Sequence, residues 1–255
     1  MDREALIANI HDWQQRVGEA SARWGGAEIC GVSKTVDPDT VNLAWEAGIR
    51  TLGENRVQEL LGKIDRLNPE YKIHLIGQLQ TNKVKTIIDR VDMIQSVDRD
   101  ALALEIDKRA RAAGRVMPVL VQLNIAREHQ KAGIDEEDLL PFIQRLSGMQ
   151  GLRVDGLMAI MPIADDPEDV RPLFRRMRQW FDRLRDMDLP GIEMKTLSMG
   201  MSDDCLVACE EGATMVRLGR ALFGARNYNI CLDTSRLDYD TCVKIITGYI
   251  DIVTK

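Results

Sequence analysis

Lys34 and Arg217 are the two side chains of this sequence whose type and position most clearly suggest chemistry. Lys34 directly follows the apolar run 29–32 and Ser33. A lysine held among apolar walls has a lowered pKa, and its neutral amine can form a Schiff base with an aldehyde; the alternative is a solvated lysine in a loop. Arg217 lies inside the otherwise apolar segment 214–219, where a buried charge needs a partner. That partner could be a ligand, and the alternative is a salt bridge to a carboxylate of the core.

Ser198, Gly200, Ser202 and Gly219 could together hold a phosphate. They offer hydroxyls and uncrowded backbone N–H groups, and a helix is expected to begin after Ser202. The acids at 203 and 204 would repel a phosphate, so they are expected to point away. The alternative is that the glycines only form turns and that Ser202 only caps the helix.

A reactive lysine, an arginine that can face a ring nitrogen and a phosphate cradle together suit pyridoxal 5′-phosphate. A phosphate-binding protein without this cofactor is the simpler alternative. The visible absorption spectrum of the purified protein would distinguish the two.

The elements that would position these residues alternate along the chain. Short, nearly all-apolar runs, typical of strands covered on both faces, are separated by segments of helical periodicity. This alternation predicts an α/β fold, a closed (β/α)8 or TIM barrel. The alternative is a doubly wound open sheet, which often has a G-x-G-x-x-G turn after its first strand, and no such turn occurs there. The predicted strands are 29–32, 49–52, 73–76, 93–97, 119–125, 154–160, 194–199 and 215–218.

Helices are expected between the strands and at both ends of the chain. The first 24 residues are predicted to form an extra helix on the barrel wall or bottom, and Asp238 is predicted to cap a helix in the tail. We expect residues 1–229 to form the barrel and residues 230–255 to form a helical extension packed on it. The connecting helices are predicted over 39–47, 55–67, 100–113 and 168–187.

A closed barrel would bring Lys34 and Arg217 together, because its eighth strand neighbours its first. Active sites of such barrels lie at the carboxyl ends of the strands, and the loops after strands seven and eight frequently bind phosphate. All the residues singled out above are therefore expected at one mouth of the barrel.

Composition and charge argue against several classes of protein. The 255 residues are 45% hydrophobic and 29% charged, as in globular proteins with a sizeable core. The net charge of −6 argues against nucleic-acid and membrane partners. The first residues are acidic, unlike a signal peptide, so a cytoplasmic location is expected. Five cysteines predict no disulfide framework, and Cys205 and Cys209 lack nearby ligands to complete a zinc site.

Several motifs carry a family resemblance that covers residues 1–228 in order. The chain resembles the pyridoxal phosphate homeostasis proteins, which are similar to the barrel domain of alanine racemase. The matching motifs are 31–35 (GVSKT), 52–55 (LGEN), 74–83 (HLIGQLQTNK), 131–134 (KAGI), 156–160 (GLMAI), 197–204 (LSMGMSDD), 216–219 (VRLG) and 222–226 (LFGAR).

The resemblance implies a set of residues around pyridoxal 5′-phosphate. It implies that Lys34 carries the cofactor as a Schiff base and that Arg217 faces the pyridine nitrogen. Asn55 and His74 would line the ring pocket. The phosphate would be held by Ser198 and by backbone donors of Gly200, Gly219 and Arg220. Since residue 220 is often a small hydroxyl residue in the family, only the backbone of this arginine is assigned to the phosphate.

The resemblance also implies a role without catalysis, in the supply of pyridoxal phosphate and the balance of amino acids. It implies a monomer or weak homodimer, and pyridoxal-phosphate-dependent enzymes are the expected recipients of the cofactor. The tail after Asn229 has no counterpart in the family, so we expect it to lie outside the cofactor site.

An amino-acid racemase that uses the same cofactor is the alternative function. Racemases with this barrel carry a second, β-rich domain, and a partner subunit supplies a tyrosine as second base. About 36 residues follow the eighth predicted strand, too few for such a domain, and His74 is the one candidate for a second base at a strand end. Arginine only donates, so a ring nitrogen facing it stays unprotonated and the cofactor is a poor electron sink. We therefore expect no racemase or transaminase turnover.

Overall fold

The computed structural model describes residues 1–128, 132–224 and 238–253. Eight parallel strands form a closed barrel in sequence order, and β1 pairs with β8 to close it. This architecture confirms the predicted TIM-barrel fold. The strands are β1 (Glu28–Val32), β2 (Thr51–Glu54), β3 (Lys72–Leu75), β4 (Met93–Val97), β5 (Met117–Gln122), β6 (Leu152–Met158), β7 (Ile192–Ser198) and β8 (Met215–Leu218).

The strands are covered on both faces, as their apolar sequences predict. Every residue of β2, β4 and β8 is buried, and removing this apolar surface from water stabilises the barrel. The bounds of β4 and β8 are those predicted. The prediction for β2 was wrong by two residues, because this strand contains Gly53 and the buried Glu54, which a search for apolar runs passes over.

Helices connect successive strands around the outside of the barrel. The predicted helix 55–67 is shorter than expected, because the chain tightens into a 3-10 turn over Ile64–Arg66. A 3-10 turn over Pro167–Val170 likewise replaces the first turn of the predicted helix 168–187. The α-helices of the barrel unit are α1 (Arg3–Ser21), α2 (Pro38–Glu46), α3 (Val57–Lys63), α4 (Val84–Ile87), α5 (Asp100–Ala112), α6 (Glu136–Leu146), α7 (Arg171–Asp186), α8 (Cys205–Glu210) and α9 (Arg220–Phe223).

The extra helix α1 lies on the barrel wall against α2, α8 and α9. Its buried side includes Leu6, Ile10 and Val17, at the helical spacing seen in the sequence. The side-chain amide of Asn9 donates to the carbonyls of residues 221 and 222 at 2.7 and 2.8 Å. The helix therefore fixes the segment that follows β8, one of the two loops predicted to hold phosphate.

The chain divides into two compact units, Met1–Gly224 and Ala225–Lys255. The second unit contains α10 (Tyr239–Val253). The carboxylate of Asp238 accepts hydrogen bonds from the backbone N–H and the hydroxyl of Thr241, both at 2.8 Å, which confirms the predicted cap. The predicted boundary at Asn229 lies outside the described residues, and packing of the tail on the barrel stays a prediction.

None of the described helices has the length and apolar character that crossing a membrane requires. The described residues also contain no group of His, Cys, Asp and Glu side chains arranged to hold a metal ion. Cys205 and Cys209 are buried free thiols, and burial raises the pKa of each to about 12.

Candidate functional site

Arg217 lies in the barrel interior and is bonded to neutral groups. Its side chain donates from Nη1 to Ser198 Oγ at 2.7 Å and from Nη2 to the Ala159 carbonyl at 2.8 Å. It forms no ion pair with any carboxylate of the described residues, so the salt-bridge alternative is not what the structure shows there. Burial lowers the pKa of the guanidinium to about 10, which leaves it charged at neutral pH.

A buried glutamine connects this pair to His74. Ser198 donates to Gln95 Oε1 at 2.7 Å, and Gln95 Nε2 lies 2.9 Å from His74 Nδ1. With the amide of Gln95 oriented in this way, the hydroxyl proton goes to the amide oxygen and the amide N–H points to the imidazole. His74 is therefore neutral, with its proton on Nε2. Burial and, second, the charge of Lys72 lower the pKa of His74 to about 4.

The hydrogen bonds of this interior chain all run one way, from Arg217 through Ser198 and Gln95 to His74. One consequence is that a positive charge without a carboxylate partner stands in the core, where a ligand atom that accepts a hydrogen bond would stabilise it. Another is that the lone pair at Nδ1 of His74 is occupied by the bond from Gln95.

Lys34 is half-buried in a tight turn that directly follows β1. The carbonyl of Ser33 closes the turn by accepting a backbone hydrogen bond at 3.0 Å, and Thr35 has a left-handed φ of 61°. The register of the neighbouring strands sets Cys30 of β1 opposite Arg217 of β8. Lys34 therefore follows the strand that pairs with the strand of Arg217, and the closeness of the two side chains stays a prediction.

A buried ion pair holds this lysine turn. Lys63 of α3 donates to the carbonyl of Ser33 at 2.6 Å and pairs with Glu54 at 2.7 Å and Glu59 at 3.3 Å. The hydroxyl of Ser33 also donates to Glu54, and the backbone N–H of Thr35 donates to Glu59. The residues on both sides of Lys34 are therefore fixed by one cluster of charges.

Glu54 is fully buried, and its Oε2 has no hydrogen-bond partner among the described residues. Burial raises the pKa of this carboxyl, while hydrogen bonds from Lys63 and Ser33 act in the opposite direction. A buried carboxylate is costly unless a cation compensates it, so the carboxylate and Lys63 stabilise each other.

The loop after β7 is folded tightly onto α8. Gly200 has a φ of +91°, and a Cβ at this position would lie 2.6 Å from the Cβ of Ala208, so only glycine fits. The carboxylate of Asp204 turns back onto this loop and accepts the Met201 N–H at 2.6 Å. Asp204 therefore satisfies a backbone donor of this loop, and the expectation that it points away from a bound phosphate stays a prediction.

The second acid, Asp203, does point outward. Both of its carboxylate oxygens accept from Nη2 of Arg220, at 2.5 and 2.7 Å, in an exposed ion pair. This leaves only the backbone of Arg220 toward the loops. The hydroxyl of Ser202 accepts the Ala221 N–H at 3.2 Å, so the loops after β7 and β8 are joined to each other.

Ser198 is the predicted residue whose surroundings differ most from expectation. It is fully buried, and its single hydroxyl proton is used in the bond to Gln95. The residue type suggested a phosphate donor, but the strand directs the side chain into the barrel beside Arg217. Asn55 follows β2 directly and is half-buried, and Gly219 follows β8.

Sequence reasoning missed Gln95, Glu54 and Lys63. A signal existed for Gln95, which is a polar residue inside the apolar run 93–97, as Arg217 is inside its own strand. No comparable signal existed for Lys63, since its partners depend on how α3 packs against the ends of β1 and β2.

Comparisons with known proteins agree with this architecture. The family model described as "Alanine racemase, N-terminal domain" matches residues 1–227. The pyridoxal phosphate homeostasis protein of Aquifex aeolicus is 43% identical over 84% of this chain and 95% of its own length. The protein of the same name from Escherichia coli is 34% identical over 88% of this chain and 98% of its own.

Solved structures show the same fold. PipY of Synechococcus elongatus, solved with pyridoxal phosphate bound, is 32% identical, with a TM-score of 0.77 over 86% of this chain and 100% of its own. Alanine racemase from Corynebacterium glutamicum has a TM-score of 0.69 over 89% of this chain and 62% of its own, at 17% identity, which shows likeness of fold alone. The chain therefore belongs to the pyridoxal phosphate homeostasis proteins, within the wider family that shares the N-terminal barrel domain of alanine racemase.

Proposed function

We propose that this protein binds pyridoxal 5′-phosphate at the mouth of its barrel and serves in the homeostasis of this cofactor without catalysing a reaction. The observation that carries the proposal is Arg217, a buried and charged guanidinium without a carboxylate partner among the described residues. It stands on the strand that adjoins the Lys34 turn. The name of the relatives and the cofactor in the PipY structure support the same ligand.

The donor set of the site fits this cofactor. When bound, pyridoxal phosphate supplies an aldehyde for a lysine amine, a ring nitrogen for a donor and a phosphate for backbone N–H groups. We assign the amine to Lys34 and the donor to Arg217, with Asn55 and His74 beside the ring. The phosphate is assigned to the joined loops, through the backbone of Gly200, Gly219 and Arg220.

Ser198 takes a different part in this proposal from the one its type suggested. Its hydroxyl accepts from Arg217 and donates to Gln95, so no proton remains for a phosphate oxygen. We therefore assign Ser198 an indirect part in the site, in which its hydroxyl orients the guanidinium of Arg217.

The absence of turnover is proposed from the state of His74. A racemase needs a second base opposite the lysine. His74 has a pKa lowered to about 4 by burial and uses Nδ1 as an acceptor, so at neutral pH it does not take up a proton. The likeness to alanine racemase gives the racemase alternative no further support, because one fold hosts many functions.

A spectroscopic titration combined with proton exchange tests this function. Addition of pyridoxal phosphate should produce a visible absorption band distinct from that of the free cofactor. The loaded protein should then leave the α-proton of single-enantiomer alanine and serine in place in deuterated water. Absence of the band would contradict cofactor binding. Enzyme-like loss of the α-proton, abolished by His74→Ala, would instead support a racemase.

Three further properties belong to the same proposal. We propose that the protein works as a monomer or weak homodimer, in the cytoplasm, with pyridoxal-phosphate-dependent enzymes as recipients. Light scattering tests the oligomeric state. Transfer of cofactor from the loaded protein to a recipient apoenzyme, compared with the same concentration of free cofactor, tests delivery.

A further inference from the structure

A cavity of about 440 Å³ opens between the segments that follow β2, β3 and β4. Three cationic side chains line it: Arg56, Lys83 and Arg99. Lys34 is not among its lining residues, and neither are the glycines of the phosphate loops. The cavity is therefore distinct from the lysine turn, although Asn55 lies at its edge.

The cavity is cationic in a chain whose net charge is −6. No acidic side chain of the described residues lines it. The positive charge of Arg99 is compensated, because its guanidinium pairs with the carboxylate of Asp98 at 2.5 Å. Lys83 and Arg56 form no ion pair with any described carboxylate, and Lys83 is half-buried. A partly desolvated ammonium without a counter-ion favours the binding of an anion.

The walls of the cavity are held in place by bonds that need no ligand. A Cβ on Gly77 would lie 2.2 Å from the Asn55 carbonyl oxygen, so the segment after β3 can pack against the end of β2 only because residue 77 is glycine. Ser96 donates to the Gly77 carbonyl at 2.7 Å. Arg99 donates to the Leu79 carbonyl, also at 2.7 Å, which joins the segment after β4 to the segment after β3. Such preorganisation reduces the entropic cost of binding.

We propose that this cavity is an anion-binding site, separate from the cofactor's phosphate loops, for a small molecule that carries a doubly charged oxyanion. Lys83 and Arg56 supply the positive charge. The side-chain amides of Gln78 and Gln80 bond to the remaining oxygen atoms of the ligand. A phosphate monoester and a dicarboxylate share this chemistry, and the volume lies within the usual range for small-molecule sites.

Nuclear magnetic resonance titrations of the full chain, saturated with pyridoxal phosphate, test the proposal. Inorganic phosphate and malonate are the two probes, each added separately up to about 10 mM. A few charge-assisted hydrogen bonds can supply a dissociation constant within this concentration range. We expect saturable shifts of the amide signals of Gln78, Gln80 and Lys83. Lys83→Gln should weaken the response about tenfold or more. Lys85→Gln, which removes an exposed charge of α4 outside the cavity, should leave it unchanged.

The pattern of shifts distinguishes the outcomes. A response to inorganic phosphate alone supports the site and assigns it to phosphate esters, and a response to malonate alone supports it and assigns it to dicarboxylates. No saturable shift with either probe, or equal shifts in the wild type and Lys83→Gln, overturns the site. Shifts confined to Gly200 and Gly219 also overturn it, because the anion then binds at the phosphate loops. Failure of the proposed cofactor binding is seen separately, as a missing visible band.

Discussion

The guanidinium of Arg217 donates a 2.7 Å hydrogen bond to the hydroxyl of Ser198, and this bond begins a chain that runs through Gln95 to His74. The hydroxyl donates to the amide oxygen of Gln95, and the amide nitrogen of Gln95 lies 2.9 Å from Nδ1 of His74. In this orientation of the amide, the proton of the imidazole is on Nε2. The barrel interior thus holds a charged guanidinium at one end of this chain of bonds and a neutral imidazole at the other.

Ser198→Ala is expected to destabilise the barrel. It leaves one N–H of Arg217 and the amide oxygen of Gln95 without a buried partner, which should lower the free energy of unfolding by about 1–3 kcal/mol. Affinity for pyridoxal phosphate should fall as well, because the guanidinium loses its orientation. Urea unfolding and the spectroscopic titration measure the two effects.

Ser147→Ala is the matched control for that variant. The hydroxyl of Ser147 bonds to the Gln144 carbonyl at 2.8 Å at the end of α6, away from the site. Its removal should cost less stability and leave cofactor affinity unchanged. Equal effects in the two variants would contradict the part that Ser198 plays.

The stability of the protein should depend on pH through His74. Its pKa is about 4 in the folded protein, lowered by burial, and 6.5 is its ordinary value. Between these values the unfolded chain binds a proton that the folded protein does not. Stability therefore falls as the pH falls through this range, by up to about 1.4 kcal/mol for each pH unit.

His74→Gln removes this titration and should flatten the dependence on pH. Urea unfolding at several pH values between 4 and 6.5 measures the slope in both proteins. His11→Gln, at an exposed position, should keep the wild-type slope. If wild type and His74→Gln lose stability in parallel, the assigned state of His74 is wrong.

Lys63→Met should be strongly destabilising, although it replaces a lysine by an apolar residue of similar length. It leaves Glu54 buried without its cation, and breaking such a pair typically costs about 3–5 kcal/mol. The turn around Lys34 also loses the bond to the Ser33 carbonyl, so cofactor affinity should fall.

The double variant Glu54→Gln/Lys63→Met separates the effect of the unpaired charge on stability from the effect of altered packing. Because the unpaired carboxylate is then absent, we expect it to be more stable than Lys63→Met alone. The unfolding free energies of the wild type, the two single variants and the double variant give the coupling energy between Glu54 and Lys63. A double variant whose loss equals the sum of the single losses would show that the two side chains do not stabilise each other.

The tail should be dispensable for cofactor binding. A chain that ends at Asn229 lacks the segment beyond the family match, and none of the residues assigned to the cofactor lies in it. We expect the spectroscopic titration of this shorter chain to give the affinity of the full chain. A folded short chain that fails to bind would place the tail in the site.

Much of the fold was predictable because its signals are local and repeated. Alternating strands and helices gave the barrel, and barrel closure alone predicted that Arg217 of β8 would adjoin the strand that leads to Lys34. The strand bounds were least accurate at β2, where the buried charge of Glu54 interrupts the apolar pattern.

The orientation of side chains within the site was less predictable. Strands that are apolar on both faces do not show by alternation which residues face the interior, so Ser198 was assigned to the phosphate from its place at the end of β7 and from the family resemblance. The partners of Glu54 could not be inferred either, because Lys63 reaches it from a helix whose packing no local pattern describes.

Borohydride reduction of the loaded protein, followed by peptide mass spectrometry, tests the central claim most directly. If Lys34 holds pyridoxal phosphate, reduction fixes the cofactor to the single peptide that contains Lys34, and Lys34→Ala loses both the label and the visible band while remaining folded. Labelling of another lysine, such as Lys83, or an unchanged band in Lys34→Ala, would contradict the account.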